Sequence, residues 1–514
     1  MGTWTWMKGG WLAAPALLVL ACGDSGTATE TASASGGQST GAETSAGTNP
    51  TSTSDPSGGT VEATVGSDSN SATMATTVPT TDVSDGTTAT TLTTGPGTTA
   101  TTGPGMTDTG DPQTSSGVVP DTSTGSTGAV DPSAGSTGGS TGEAPPCEPG
   151  DGMGMGMVEK SFIWIASYNT NDISKVDTLT MTELARYRTG PAGENPSRTA
   201  VSADGRFVVV NNRNTGRSTM IAANEADCID KNNNGMIDTS QNKNNLLNWD
   251  ADECVRWSIV HPVAGGTASG PRGVTWTPGE WSYDECKYVN PKVWIGYLAA
   301  GNNAHFVRVD GITGMVEQTL IAAGWKGSSY APYGAALDPQ FRPWFSSLRG
   351  EFVRVNTDEN PATLTRITPP NNVQSYGFTI DEDGNPWFGG CSGPVTVYDQ
   401  KNQNFTTIVG TQACHRGVTA DAKYVWVASN GPCGLVQIDR ENRTLIKFHN
   451  TNPCSTAIGL SIDVEKNVWL VDQGGFAWKF DPENVPAMQK VVVAGSHYVY
   501  SDMTGGQLLS VLPQ

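Results

Sequence analysis

The stretch from Tyr376 to Phe388, YGFTIDEDGNPWF, constrains the fold more than any other. It reads as an aromatic residue, a Gly, an alternating apolar strand, an acidic turn with Gly, and a second strand that opens on Trp. The pattern recurs as YGAALDPQFRPWF from Tyr333, RGVTADAKYVWV from Arg416 and IGLSIDVEKNVWL from Ile458, with starts 40 to 43 residues apart. A period of this length, holding several short strands per unit, predicts one four-stranded blade per repeat and therefore an all-β propeller. The Trp-led strand can be followed seven times, at Trp164, Trp294, Trp344, Trp387, Trp426 and Trp469, with Val208 standing once where Trp is expected. Seven blades follow. Further strands ending in an acidic or Asn turn start near Ser174, Val307, Val353, Thr396, Val436 and Trp478, and almost no helical periodicity competes with them.

The folded domain is predicted over 147–514. Its first blade has no inner strand of its own, because the chain enters at Phe162 after a Met-Gly run. The C-terminal stretch His497 to Val511, HYVYSDMTGGQLLSV, follows the last blade at the right interval, with Tyr500 lying 42 residues after Ile458. It is predicted to supply that missing C-terminal strand, so that both chain ends close the ring. Two insertions interrupt the rhythm, one over 227–257 and one, GEWSYDECKYVNPK, from Gly279. Long loops on such a scaffold are where function concentrates.

The first 21 residues carry Lys8 and then a short apolar run from Trp11 to Ala21. The run is too short to span a bilayer, which takes about 20 apolar residues, and reads as a signal peptide. Val19-Leu20-Ala21-Cys22 resembles a bacterial lipobox, which implies lipidation of Cys22. Residues 22–146 are almost entirely Ser, Thr, Gly, Ala, Pro and Asp, with no aromatic residue, and are predicted to stay disordered because they cannot bury enough apolar surface to offset chain entropy. As a flexible coil such a linker has a reach on the order of 60 Å. It carries 13 of the 50 acidic residues and no basic one, while 147–514 carry 29 basic and 37 acidic residues. A mildly acidic module without a basic stripe is a poor partner for nucleic acid. The expected setting is the bacterial cell envelope, at the outer membrane or cell surface, with membrane contact through the lipid alone and with a monomeric propeller facing an extracellular ligand or envelope protein.

Export also fits the cysteines. Beyond Cys22 there are eight, an even number that suggests disulfides. Cys391 and Cys433 each follow a Trp-led strand, and Cys414 and Cys454 each precede the next blade, which argues for Cys391–Cys414 and Cys433–Cys454. Cys228 and Cys254 flank the first insertion, leaving Cys147 for Cys286. No CxxC pair favours zinc.

Within the first insertion, Asp230, Asn232, Asn234 and Asp238 stand at positions 1, 3, 5 and 9 of a loop with Gly235 at position 6 and the Met236 carbonyl at position 7. This resembles a calcium loop, whose hard cation needs several converging oxygens. Position 12 is Gln241 instead of Glu, and Asp250, Asp252 or Glu253, returned by a Cys228–Cys254 bridge, can supply the missing carboxylate. A structural Ca2+ is the expected cofactor; a bare Asn-Gly turn is the alternative. A second constellation comes from aligning the repeats: the residue before each inner strand is Arg198, Arg272, Tyr333, Tyr376, Arg416, Ile458 and Tyr500 in turn. At the mouth of the channel such a ring either binds an anionic or sugar-like ligand, or fills the channel with cation–π stacks. Acid–base chemistry is thin. Of five histidines, His415 and His497 fall near the ring, and no GxSxG, HExxH or P-loop occurs. Met153-Gly-Met155-Gly-Met157 reads as a lead-in to the first strand.

The unit YGFTIDEDGNPWF followed by VTVYD resembles the repeats of the streptogramin B (virginiamycin B) lyase family, seven-bladed propellers, and more distantly those of NHL propellers. The resemblance implies the fold over residues 160 to 514. In that family a magnesium ion with His and Glu residues around the channel opens a cyclic depsipeptide by elimination, and Glu commonly follows the Trp-led strand. This chain has Ser346 and Ser347, Gly389 and Gly390, and Ala428 and Ser429 there, with Asp472 as the one acid, so no catalytic residue carries across. The sequence therefore points to a surface-anchored binding propeller, with a divergent propeller lyase or hydrolase as the alternative reading.

Overall fold

The computed structural model describes residues 147–149 and 161–512, with 328, 371 and 372 excepted. The signal peptide, Cys22, the linker and Met153, Met155 and Met157 lie outside the described residues. The described chain forms seven blades. The first holds three antiparallel strands, Phe162–Ser167, Asp172–Asp177 and Thr182–Arg188. The second runs Pro196–Val201, Phe207–Asn212, Arg217–Ala222 and Val255–Val260, and the third Val274–Thr277, Lys292–Ala299, Asn303–Asp310 and Val316–Ala322. The inner strands of the remaining four are Gly334–Leu337, Gly377–Ile380, Ala413–Ala420 and Ala457–Ile462.

Four of the seven units are locked by one recurrent contact. The turn carboxylate of the repeat accepts the indole N–H of the Trp that opens the next strand: Asp338 to Trp344 at 2.8 Å, Asp381 to Trp387 at 2.8 Å, Asp421 to Trp426 at 3.0 Å and Asp463 to Trp469 at 2.9 Å. The other oxygen of the same carboxylate caps the turn, as where Asp381 accepts the N–H groups of Asp383 and Asn385. These four Trp side chains are at most 1% exposed, so without Asp each indole would bury an unpaired donor, as Trp164 does in the first blade. Burial pushes the Asp381 carboxyl up, and the Trp387 and Asn385 donors pull it back. Where Val208 replaces Trp, the space between the second and third blades is filled by Trp276, stacked on Phe207 at 6.5 Å and bonded to the Ala200 carbonyl. The Gly that follows five of the seven ring residues is there for clearance: a Cβ at Gly377 would stand 1.8 Å from the Arg416 carbonyl oxygen of the next blade.

The C-terminal segment departs in detail from a simple fourth strand. It does run along the first blade, where His497 bridges Ser167, the Tyr498 N–H reaches the Ala166 carbonyl at 3.1 Å and the Trp164 N–H reaches Met503 at 3.0 Å. The regular part, however, is only Tyr500–Ser501, which pairs in parallel with Arg198 and Thr199 of the second blade. From there the segment also bonds Tyr333 and Leu337 of the fourth blade, Tyr376 of the fifth, Arg416 of the sixth and Ser461 of the seventh. It thus threads the axis as a strap. Its last stretch, Gly506–Val511, is a short helix instead of the expected strand, because Asp502 accepts the N–H groups of Thr504, Gly505 and Leu508 and turns the backbone. Val499, Met503 and Leu508 are at most 2% exposed, and each such burial is worth about 2 kcal/mol.

Disulfides join Cys147 to Cys286, Cys228 to Cys254 and Cys433 to Cys454, and Cys391 pairs across strands with Cys414; no described cysteine is free. Cys391 lies in a strand that leaves the fifth blade and joins the sheet of the sixth.

Two buried histidines give this fold a pH signature. Burial holds His261 and His497 down at about 4, against 6.5 for the free side chain. Both are neutral when folded, so stability is full above about 6.5 and is lost as the unfolded state takes up protons between 6.5 and 4. Asp172, raised by burial to about 6, and Glu194, Asp381 and Asp502, also raised by burial, act in the opposite sense, while His305, His415 and His449, lowered by burial, add to the two histidines. Urea midpoints are expected to be flat above neutrality and to fall below about pH 6.5, with part of the fall removed in His261→Gln; a flat profile to about pH 4.5 would contradict this assignment.

Candidate functional sites

The six ring residues predicted at the channel do come together, but inside the protein. Arg198, Arg272, Tyr333, Tyr376 and Tyr500 are at most 2% exposed and Arg416 is 8% exposed. Arg198 lies over Tyr500 at 4.2 Å and Tyr333 at 4.7 Å, Arg272 over Tyr333 at 5.2 Å, and Arg416 over Tyr376 at 4.5 Å. Ile458 completes the layer as a buried apolar wall. The strap adds Tyr498, whose hydroxyl meets those of Tyr333 at 3.0 Å and Tyr376 at 2.8 Å and whose ring carries Arg213 at 3.9 Å. Tyr498 sits two residues before Tyr500, on the same face of an extended chain, and that period was the sequence signal for it. The ring therefore acts as a plug, with half-buried Tyr168 and Tyr330 packed on it.

Groups suited to acid–base work near the axis are engaged elsewhere. His415 is buried, bonds the Thr411 carbonyl through Nε2, and is pushed down by burial. His497 holds Ser167 at 3.1 Å. Asp472, at the position where the lyases are acidic, accepts the N–H groups of Ser455, Thr456 and Gly474 and caps that loop. Cys433 and Cys454 beside it are bonded to each other, which removes them as metal ligands.

In the insertion, Asp230 accepts the N–H groups of Asn234 and Gly235, Asn232 accepts Asn234 and Asn234 accepts Met236. The amides of Asn232 and Asn234 both reach the Asp238 carboxylate, at 2.8 and 2.9 Å. Gly235 has φ +83, and a Cβ there would meet nothing within 4 Å, so Gly is needed for its backbone angle alone. Of the three carboxylates considered to complete the loop, Glu253 reaches it. It is 1% exposed and accepts the N–H groups of Lys231, Asn232 and Asp238. Asp252 instead holds Thr239 and Ser240, and Asp250 offers its carbonyl to Lys231. Oxygens of Asp230, Asp238 and Glu253 do not all lie within 4.8 Å of one another, so Glu253 serves as a buttress under the loop. The fourth strand starts at Val255, so Trp257 belongs to the blade and the insertion ends at Cys254.

A feature with no repeat signal is a cleft of about 520 Å³ between the second and third blades, walled by Phe207, Trp276, Tyr288 and Ile312 with Arg206 and Lys287 at its polar edge. The hairpin Glu280–Ser282 with Lys287–Val289, stapled by Cys147–Cys286, forms one side. On the other, Arg206 is gripped by Asp227 at the root of the first insertion.

No protein-family model matches the chain, and no curated protein matches it. Solved structures are similar to part of it at low identity. A putative 6-phosphogluconolactonase from Bacteroides uniformis is 12% identical, over 66% of this chain and 98% of that one, with a TM-score of 0.46. A Lactobacillus plantarum protein is 16% identical over 66% and 98%, with a TM-score of 0.45. BamB from Moraxella catarrhalis is 12% identical over 65% and 83%, with a TM-score of 0.36. At such identities the likeness concerns fold and carries no activity across.

Proposed function

We propose that this chain is a lipid-anchored protein of the bacterial envelope whose propeller is a monomeric binding module, carried on a long linker and steadied by a structural Ca2+. The observation that carries the binding reading is the pairing of a filled axis with a cleft walled on one side by the stapled hairpin of the second insertion. A cleft of about 520 Å³ is within the size range of ligand sites, and its aromatic and aliphatic walls with a charged edge suit an amphipathic ligand or the side chains of an envelope protein. The anchor rests on the apolar run ending at Cys22 and on the linker composition.

The cleft is tested by screening purified propeller against cell-surface glycans, peptides and envelope extracts by melting shift, then repeating each hit with Ile312→Lys. Ile312 is 40% exposed, so the substitution leaves the fold intact. Hits are expected to be lost in Ile312→Lys; hits that persist unchanged would place recognition elsewhere.

The calcium loop offers a hard, all-oxygen donor set: the side chains of Asp230, Asn232, Asn234 and Asp238 and the Met236 carbonyl, which with water reach the six or more ligands Ca2+ takes. The ion would neutralise Asp230 and Asp238, leaving Glu253 to hold the loop. Saturating Ca2+ is expected to raise stability by about 3 kcal/mol at 100- to 1,000-fold over Kd, with the gain abolished by chelator or by Asp230→Ala. A melting temperature indifferent to chelator in the wild type would contradict the metal.

A further inference from the structure

The axial plug poses a charge problem. Arg198 and Arg416 are buried, yet the partners of their donors are neutral: Arg198 reaches the Tyr376 carbonyl at 3.3 Å and Ser501 at 3.5 Å, and Arg416 reaches the hydroxyls of Tyr376 and Tyr500. The Nε atoms of both are buried without a partner. The groups that act most strongly on each are the surrounding tyrosines, with no carboxylate among them. Two guanidiniums in such a setting cost several kcal/mol each unless a negative charge stands among them.

One atom is placed to carry it. The Tyr376 oxygen receives the Arg416 guanidinium and the Tyr500 hydroxyl at 3.2 Å, and shares a 2.8 Å hydrogen bond with the Tyr498 hydroxyl in which either oxygen can donate. Two donors on one phenolic oxygen, with a third hydroxyl in reach that can turn its proton toward it, beside a cation and away from water, is an arrangement that favours an oxyanion. We infer that Tyr376 stands in the folded protein as a phenolate at neutral pH, its proton released to solvent as the ring closes, and that it is the resident counter-charge of the plug. Burial, and next the neighbouring Tyr376, push Tyr500 up, which keeps Tyr500 protonated as a donor. Arg416 is held charged against burial by the tyrosines around it. The titratable groups facing Tyr376 are Arg416 from the sixth blade, Arg198 from the second, Tyr333 from the fourth at 5.2 Å between rings, and Tyr498 and Tyr500 from the strap. An acid ionised more readily in the folded state adds stability above its folded titration point and loses it as pH falls through that point.

Labelling the full chain with ζ-carbon 13C-tyrosine makes the state directly visible by NMR. Of the 12 tyrosines, one is expected at the phenolate position at neutral pH and to vanish in Tyr376→Phe. Should that variant fail to fold, Tyr500→Phe removes one donor and is expected to move the titration of the same resonance to higher pH. Twelve phenol resonances in the native protein, a phenolate that survives Tyr376→Phe, or a titration unmoved in Tyr500→Phe would each overturn the inference. A melting temperature that rises with added chloride or phosphate, with all tyrosines neutral, would assign the counter-charge to an outside anion and overturn it as well.

Discussion

A propeller must close a ring without a continuous chain around it, and this protein does so by drawing its own C-terminus through the axis. The strap bonds the first blade, pairs with the second, and reaches the fourth to seventh from inside. Everything at the centre follows from that. The tyrosines the strap brings are what the blade arginines stack on, and the space in which a channel ligand would sit is filled by Tyr498 and Tyr500. Closure and recognition therefore compete for one place, and closure has taken it. Cys391–Cys414, close to the plug, adds a tie between the fifth and sixth blades.

Around the plug, the blades repeat a single solution to one problem. A Trp large enough to fill the gap between twisted sheets carries an N–H that burial would orphan, and the turn Asp five or six residues before it satisfies it while capping its own turn. The acid of the repeat thus does structural service, and Trp276 performs the packing role where Val208 breaks the pattern. Inter-blade ion pairs, such as Arg440 with Glu382 and Asp383, lie nearer the surface and contribute less.

Much of this was legible in the sequence because a repeat lets one copy be read against another. Blade number, the pairs Cys391–Cys414 and Cys433–Cys454, and the ring of Arg and Tyr all come from equivalent positions. Spacing alone could not say whether that ring opens to solvent, since the answer depends on Tyr498, which lies outside the repeat. Nor could it show that Gly506–Val511 turns into a helix, which depends on Asp502 capping three N–H groups of a segment held between blades. The cleft beside Phe207 arises from an insertion folded over a neighbouring blade, a contact between non-equivalent segments. Glu253 reaches the acidic loop only because Cys228–Cys254 brings the end of the insertion back to its start.

The strap is the element that shuts the ring, and hydrogen exchange read at its amides tests that most directly. The N–H groups of Trp164, Tyr498 and Met503, bonded to Met503, Ala166 and Ser461, are predicted to exchange only through global unfolding, as slowly as those of the Trp426 strand. Exchange of these amides at loop-like rates, with the blades still protected, would show a ring that stands without its strap and would contradict that role.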